Sequence, residues 1–293
     1  MSAPARDAVG RPQTDVFLHI GMHKTGSTFL QREVFPRLPG VHAVVRAESS
    51  LAGLWKRPVD RTLLISDEGL CGIPWSVPVR RDYSWHADRV GRLQSAAKLF
   101  PNARVIVFFR RHADFILSLY KQYLHEGGSE SLERFFSLNG NTILEPEELD
   151  YRRILALVHE LLDPSPLVFT YDELRGVDEV VGRITSFMGT PCPPSFARSP
   201  HHNQSVRGRS AKVLRQLNAV TQSPMNPQGR LPLRGRVFRV LRLDPRTLCQ
   251  QRLGFLGGAD IDFRQGDREA IEARFADDWQ AILEAKRHRP DSG

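Results

Sequence analysis

The chain has 293 residues, of which 41% are hydrophobic and 25% charged, and its formal net charge is +8 at pH 7. These values are typical of a globular protein with a sizeable core. No apolar run is long enough to cross a bilayer, and residues 1–14 lack the apolar core of a signal peptide. We expect a disordered tail over 1–14. The three cysteines, Cys71, Cys192 and Cys249, are too few and too dispersed for a disulfide framework or a zinc site, and we expect a location in the reducing cytoplasm.

Short apolar runs and helix-period runs alternate along the chain, which predicts an α/β fold with a mainly parallel sheet. Residues 71–85 read as a loop with exposed tryptophans, Trp75 and Trp85. The predicted strands are residues 16–20, 41–45, 62–67, 103–110 and 167–171, and the predicted helices start at Thr28 and lie near residues 90–100, 116–123, 154–162, 177–188 and 271–282.

No domain boundary is evident, so we expect one domain over residues 15–293, with an irregular basic segment at about 201–260. Residues 201–255 contain eleven Lys and Arg residues and one acid, Asp244, which gives +10 before histidines are counted and leaves −2 for the remainder. No helix-turn-helix, RNP or zinc-finger pattern accompanies this charge, so no specific nucleic-acid partner is expected. Within the segment, LRGRVFRVLRL (233–243) is consistent with an amphipathic helix.

The stretch VFLHIGMHKTGSTFL (16–30) combines a strand, a glycine-bearing loop and a helix start. This order turns backbone N–H groups and the positive end of a helix toward one anion. Gly21 and Gly26 have the glycine spacing of a nucleoside-triphosphatase loop, but Ser27 follows Gly26 and the lysine, Lys24, lies inside the loop. The alternative is an ordinary strand-to-helix turn.

The run HKTGST after a first strand resembles the loop of sulfotransferases that use 3′-phosphoadenosine 5′-phosphosulfate, especially bacterial enzymes related to the carbohydrate sulfotransferases. In that family the loop holds the 5′-phosphosulfate, and its lysine contacts the oxygen between phosphate and sulfate. The resemblance implies a P-loop-like three-layer fold, with helices flanking a central, mainly parallel sheet. It also implies that Lys24 takes part in catalysis and that the cofactor is bound by Lys24, Thr25, Gly26, Ser27 and Thr28.

The run FFRRHADFILSLY resembles the second sulfotransferase signature, in which an arginine ends a strand and a serine follows eight residues later. The resemblance implies that Arg110 and Ser118 bind the 3′-phosphate of the cofactor. A guanidinium suits this task because its N–H donors match phosphate oxygens. Arg111-His112 departs from the usual Asn/Asp-Pro pair. The alternative is a surface arginine and a solvent-facing serine.

Asp67 and Glu68 stand at the end of the predicted strand TLLISD. Carbohydrate sulfotransferases have a glutamate near this strand end that serves as general base, and Glu68 is similar to it in position, whereas cytosolic small-molecule enzymes use a histidine. An acceptor hydroxyl must lose a proton as it attacks sulfur, so a carboxylate within reach suits the step. Asp67 could instead cap the next turn or orient Lys24, and both acids could simply face solvent. We favour Glu68 as the base, with Asp67 as the other candidate.

Arg207-Gly208-Arg209 fits the family's basic-glycine loop over the 3′-phosphate, and the resemblance implies that Arg207 and Arg209 bind cofactor, although chance placement explains them equally well. His23 could touch the sulfate and His201 or His202 the acceptor, or each could make local hydrogen bonds. Five arginines could attract an anionic acceptor or form a solvated face: Arg230, Arg234, Arg236, Arg239 and Arg242.

Together these motifs predict transfer of the sulfuryl group from 3′-phosphoadenosine 5′-phosphosulfate to a hydroxyl or amine of a carbohydrate or other small acceptor. The product would be 3′-phosphoadenosine 5′-phosphate, and no metal is expected. A nucleotide-dependent kinase with an atypical P-loop is the enzymatic alternative, disfavoured because no lysine follows Gly26. A non-catalytic polyanion or nucleic-acid binder is the alternative from another class.

Overall fold

The computed structural model describes residues 15–45, 62–76, 82–195, 208–231 and 261–287. Within these ranges five strands form one parallel sheet in the order β2–β3–β1–β4–β5, so β1 is central. Because the strands run the same way, their carboxyl ends share one edge, where open α/β sheets bind ligands. The strands are β1 (Val16–Gly21), β2 (Val41–Val45), β3 (Thr62–Ser66), β4 (Arg104–Phe109) and β5 (Leu167–Thr170).

The register brings the ends of three strands into line. His19 of β1 pairs with Ser66 of β3, and Gly21 of β1 pairs with Phe108 of β4. The residues that follow these strands therefore emerge side by side. The helices of the described ranges are α1 (Ser27–Phe29), α2 (Trp85–Leu99), α3 (His112–His125), α4 (Leu132–Phe135), α5 (Tyr151–Leu161), α6 (Val177–Met188), α7 (Gly208–Val220), α8 (Gln265–Arg274) and α9 (Ala276–Arg287).

Helices cover both faces of the sheet, because successive strand residues point to opposite sides. One face buries Leu18, Ile20, Val105 and Val107 together with apolar residues of α2, α3, α5, α7, α8 and α9. The other face buries Phe17, Leu64, Ile106 and Phe108 together with α6 and the segment after the first loop. This three-layer arrangement confirms the predicted α/β fold with a central parallel sheet.

The segment after the first loop is less regular than the predicted helix. α1 passes into a π-helical turn at Leu30–Val34 and a 3₁₀ turn at Phe35–Arg37. Pro36 is the second residue of that last turn, where its missing N–H is tolerated, and the turn ends at Arg37.

The expectation of exposed tryptophans was wrong. Trp75 is 3% exposed and Trp85 is 1% exposed. Each indole buries its rings while its N–H finds an acceptor: Trp75 Nε1 donates to Glu126 at 2.9 Å, and Trp85 Nε1 donates to the Cys71 carbonyl at 2.8 Å. Two core residues therefore lie in a segment, residues 71–85, whose composition is typical of a loop.

Much of the basic segment lies outside the described residues, including residues 233–243 and Arg234, Arg236, Arg239 and Arg242; so do the tail at 1–14 and both His201 and His202. Inside the segment expected to be irregular, residues 208–220 form α7, which buries Ala211 and Leu214. In the described part of the chain, no helix has both the length and the apolar character needed to span a membrane.

Candidate active site

The loop between β1 and α1 has a tightly constrained backbone. Lys24 and Gly26 both adopt left-handed φ values, 63° and 89°, which cost little for glycine but are uncommon for lysine. Thr25 is buried, and its hydroxyl donates to the Met22 carbonyl at 2.6 Å. A Cβ at Gly21 would collide with Ser27 Oγ. The two glycines are thus required by the shape of the loop.

Ser27 presents an unpaired hydroxyl inside this loop. Its side chain is 1% exposed, and Oγ has no hydrogen-bond partner in the described part of the structure. A buried hydroxyl without a partner costs free energy, on the order of 1–3 kcal/mol. A ligand that accepts a hydrogen bond would remove this cost. Lys24, which is exposed, and half-buried Thr28 flank the same turn.

Arg110 follows β4 and reaches the loop. Its Nη1 donates to the Lys24 carbonyl at 3.2 Å, and its guanidinium carbon lies 4.4 Å from the centre of the Tyr171 ring. Its Nε is buried and has no partner among the described residues. The Arg110 carbonyl accepts from the Tyr151 hydroxyl at 2.8 Å. The arginine is therefore fixed in place while keeping donor capacity for a ligand.

Glu68 and Asp67 have different environments at the end of β3. Asp67 Oδ1 accepts from the Gly69 N–H at 2.8 Å and so caps the 3₁₀ turn Glu68–Cys71. Glu68 Oε2 lies 3.5 Å from His23 Nδ1, which belongs to the loop of residues 22–26 between β1 and α1, the anion loop. Of the two acids, Glu68 is the one in contact with the loop.

The 3₁₀ turn is held from behind by α2. The Cys71 carbonyl accepts from Trp85 Nε1 at 2.8 Å and from Arg89 Nε at 3.1 Å. Burial lowers the pKa of Arg89 and raises the pKa of the Cys71 thiol to about 12, so the thiol stays protonated. Gly72 has φ 78°, and a Cβ there would press into the Trp85 ring. These contacts fix the backbone that carries Glu68.

A polar layer lies beneath the loop in the sheet itself. His19 Nδ1 is 2.7 Å from Ser66 Oγ, which also accepts from Gln31 Nε2 at 3.0 Å. Burial lowers the pKa of His19 to about 4, although the Glu68 charge acts in the opposite direction. His19 is consequently neutral near pH 7 and acts as a hydrogen-bonding support.

The remaining predicted residues are less closely tied to the site. Ser118 lies in the second turn of α3 and is half-buried; no hydrogen bond of the described residues joins it to Arg110 or to the loop. Arg207 lies outside the described residues, and Arg209 is in the first turn of α7, where side chains are not described. The described residues contain no group of three or more His, Cys, Asp or Glu side chains arranged to hold a metal ion.

Sequence reasoning missed the support of the 3₁₀ turn. It considered His23 for the sulfate, whereas the structure places His23 against Glu68 and the Gly72 carbonyl, and it assigned no role to Trp85 or Arg89. The glycines on either side of LC in the run EGLCG were the available signal for a tight turn. Nothing in the spacing indicates which distant side chains hold that turn.

No family model and no curated protein matches this chain. Among solved structures, it is similar to a sulfotransferase from Alicyclobacillus acidocaldarius, at 13% identity, TM-score 0.46, and coverage of 64% of this chain and 87% of that chain. It is also similar to mouse sulfotransferase SULT7A1 complexed with PAP, at 14% identity, TM-score 0.46, and coverage of 92% and 88%. Both similarities are too distant to assign an activity.

Proposed function

We propose that the protein is a sulfotransferase that uses 3′-phosphoadenosine 5′-phosphosulfate and transfers the sulfuryl group to a hydroxyl or amine. One observation carries the proposal: the anion loop, Arg110 and Glu68 converge at one edge of the sheet, through the contacts of Arg110 with Lys24 and of Glu68 with His23. Such a site offers cationic and N–H donors for an anion beside a carboxylate that can take a proton.

The unpaired donors of the site suit this cofactor. Ser27 Oγ and Arg110 Nε are both buried without partners among the described residues, and both can donate to phosphate or sulfate oxygens. In the proposed assignment, residues 24–28 hold the 5′-phosphosulfate. Arg110 and Ser118 hold the 3′-phosphate, and Arg207 and Arg209 add contacts on the same side.

The proposed part of the protein in the reaction is to position the reactants, stabilise charge and accept a proton. When bound, the cofactor supplies the sulfuryl group and a phosphate leaving group. Lys24 neutralises charge that develops on the leaving oxygen, and the N–H groups of the loop do the same for equatorial oxygens. Glu68 takes the proton of the acceptor. We further propose that residues 15–293 form one domain, that the acceptor is a carbohydrate or other small molecule, that no metal is needed, and that the protein acts in the cytoplasm.

The test is a transfer assay with ³⁵S-labelled cofactor and a panel of saccharide, phenol, lipid and amine acceptors. A parallel series with γ-³²P-labelled ATP tests the kinase alternative. We expect labelled sulfate on at least one acceptor and no phosphate transfer. Binding of 3′-phosphoadenosine 5′-phosphate, measured by calorimetry, supports the assignment independently of the acceptor. Phosphate transfer, or absence of binding to the bisphosphate, would overturn it.

A further inference from the structure

His23 bridges the anion loop and the proposed base. Its Nε2 lies 2.9 Å from the Gly72 carbonyl oxygen, and its Nδ1 lies 3.5 Å from Glu68 Oε2. Both side chains are mostly buried, with 12% of His23 and 13% of Glu68 exposed. One imidazole therefore contacts both ends of the turn that carries the carboxylate.

The Gly72 contact fixes which ring nitrogen bears hydrogen. A carbonyl oxygen can only accept, so His23 Nε2 must carry a proton and donate it. In a neutral ring Nδ1 would then present a lone pair to Glu68 Oε2, and two acceptors would face each other. The contact becomes favourable when Nδ1 is also protonated, because an imidazolium can donate to an ionised carboxylate.

Other charged and titratable groups face this contact from the turn, the loop, β1 and α2. The turn adds Asp67, already bonded to Gly69, and the loop adds Lys24. From β1, burial lowers the pKa of His19 to about 4, and on the turn burial raises the pKa of Cys71 to about 12. From α2 come the Arg89 guanidinium, at the Cys71 carbonyl, and the Trp85 ring, whose centre is 6.3 Å from that of His23.

We propose that His23 is a positioning residue that acts through Glu68, an inference that rests on the proposed sulfotransferase function. It anchors Nε2–H on Gly72 and holds Glu68 Oε2 through Nδ1, with one hydrogen between these two atoms, which fixes the direction of the carboxylate. The other carboxylate oxygen then takes the proton of the acceptor as the acceptor atom bonds to sulfur. The electron pair of the broken sulfur–oxygen bond leaves with the phosphate.

Replacing His23 with glutamine should keep the contact with Gly72 and remove the one with Glu68. Its amide nitrogen can occupy the place of Nε2 and keep the bond to Gly72, but it cannot carry the charge that faces Glu68. His42→Gln is the matched control, since His42 is an exposed residue of β2. We expect His23→Gln to lower kcat for acceptor sulfation roughly 10- to 100-fold, the scale of a misplaced catalytic group, with little change in the affinity for 3′-phosphoadenosine 5′-phosphate.

The split between kcat and affinity gives a readout that general loss of packing would not produce. His23→Gln should lower kcat, while its affinity for 3′-phosphoadenosine 5′-phosphate and its free energy of unfolding stay close to those of His42→Gln. A variant that keeps wild-type kcat, or that loses affinity and stability together with kcat, would overturn the proposal. If no sulfate is transferred at all, the proposed function fails, and the outcome for His23 is then decided by spectroscopy of the ligand-free protein.

That spectroscopy uses ¹⁵N-labelled histidine side chains, with the His23 signal assigned by its absence in His23→Gln. We expect hydrogen on Nε2 of His23 in the wild type and a shift of the Nδ1 signal in Glu68→Gln. A ring with hydrogen on Nδ1 alone, or an Nδ1 signal that Glu68→Gln leaves unchanged, would contradict the pairing of His23 with Glu68.

Discussion

Arg110 is hydrogen-bonded to the backbone of the very loop that carries Lys24: its Nη1 donates to the Lys24 carbonyl at 3.2 Å, across 86 positions of sequence. The bond holds the guanidinium at the loop, and the centre of the Tyr171 ring lies 4.4 Å from the guanidinium carbon. The buried Nε remains without a partner among the described residues. This geometry places one cation beside the loop with a donor still to be used.

Arg110→Ala should weaken binding of adenosine 3′,5′-bisphosphate by about 10- to 100-fold, the range for loss of a hydrogen bond to a charged group. Adenosine 5′-phosphate, which lacks the 3′-phosphate, should lose much less. Calorimetry with the two nucleotides measures the difference, and Arg37→Ala, at an exposed arginine paired with Glu33, is the control. Equal losses for both nucleotides would remove Arg110 from the 3′-phosphate site.

Lys24→Ala should lower turnover by roughly two to three orders of magnitude while leaving cofactor binding measurable, because its charge is needed most as the leaving oxygen becomes anionic. Steady-state kinetics with labelled cofactor give kcat and KM separately. Lys98→Ala, at an exposed position of α2, should behave as wild type. Turnover in Lys24→Ala equal to that of the control would show that this lysine has no part in the transfer.

Glu68→Gln should lower acceptor sulfation by about 10²- to 10⁴-fold, the range for loss of a general base. Cofactor affinity should stay the same or rise slightly, because a negative charge near an anionic ligand is removed. The two effects are read from kinetics and from calorimetry with the bisphosphate.

Asp67→Asn is the internal comparison for that experiment. Asp67 caps the 3₁₀ turn through its bond with Gly69. An amide there should therefore mainly lower the free energy of unfolding and have a smaller effect on kcat. If Asp67→Asn were inactive and Glu68→Gln active, the base would be the other carboxylate.

Asp278 of α9 is predicted to contribute to stability in a pH-dependent way. Burial raises its pKa, but hydrogen bonds from His112 and from the N–H groups of Tyr151 and Arg152 outweigh burial and hold the pKa below its usual range. A carboxyl whose pKa is depressed by folding stabilises the protein fully above its unfolded pKa of about 3.9, and this contribution is lost as the pH falls through the lower folded value.

Asp278→Asn should therefore reduce the free energy of unfolding by about 1–3 kcal/mol at pH 7, the cost of leaving buried donors unpaired. The difference from wild type should shrink as the pH is lowered below about 4. Denaturant titrations across pH measure it, with the exposed neighbour Asp277→Asn as control. A difference that stays constant down to the lowest pH would contradict an ionised Asp278.

The local pattern of apolar residues was sufficient to predict the strands and their parallel arrangement. Each strand is a short apolar run, and the alternation with helices implies parallel pairing, so the carboxyl-edge positions of Lys24, Glu68 and Arg110 could be derived before any contact was known. The burial of Trp75 and Trp85 could not, because their partners Glu126 and Cys71 are distant in sequence. The same holds for His23, whose contacts with Glu68 and Gly72 depend on how β1 and β3 are aligned.

The position of β1 at the centre of the sheet has a consequence for how the protein acquires its structure. One side of β1 becomes hydrogen-bonded only when β3 is present, which pairs His19 with Ser66. The other side needs β4, which pairs Gly21 with Phe108. During synthesis or refolding, this apolar strand therefore lacks one lateral partner until β3 (Thr62–Ser66) has joined it and the other until β4 (Arg104–Phe109) has joined it. Such distant pairing slows folding and leaves the strand open to self-association in the meantime. Refolding yield should accordingly fall with rising protein concentration, even for variants whose native stability is unchanged.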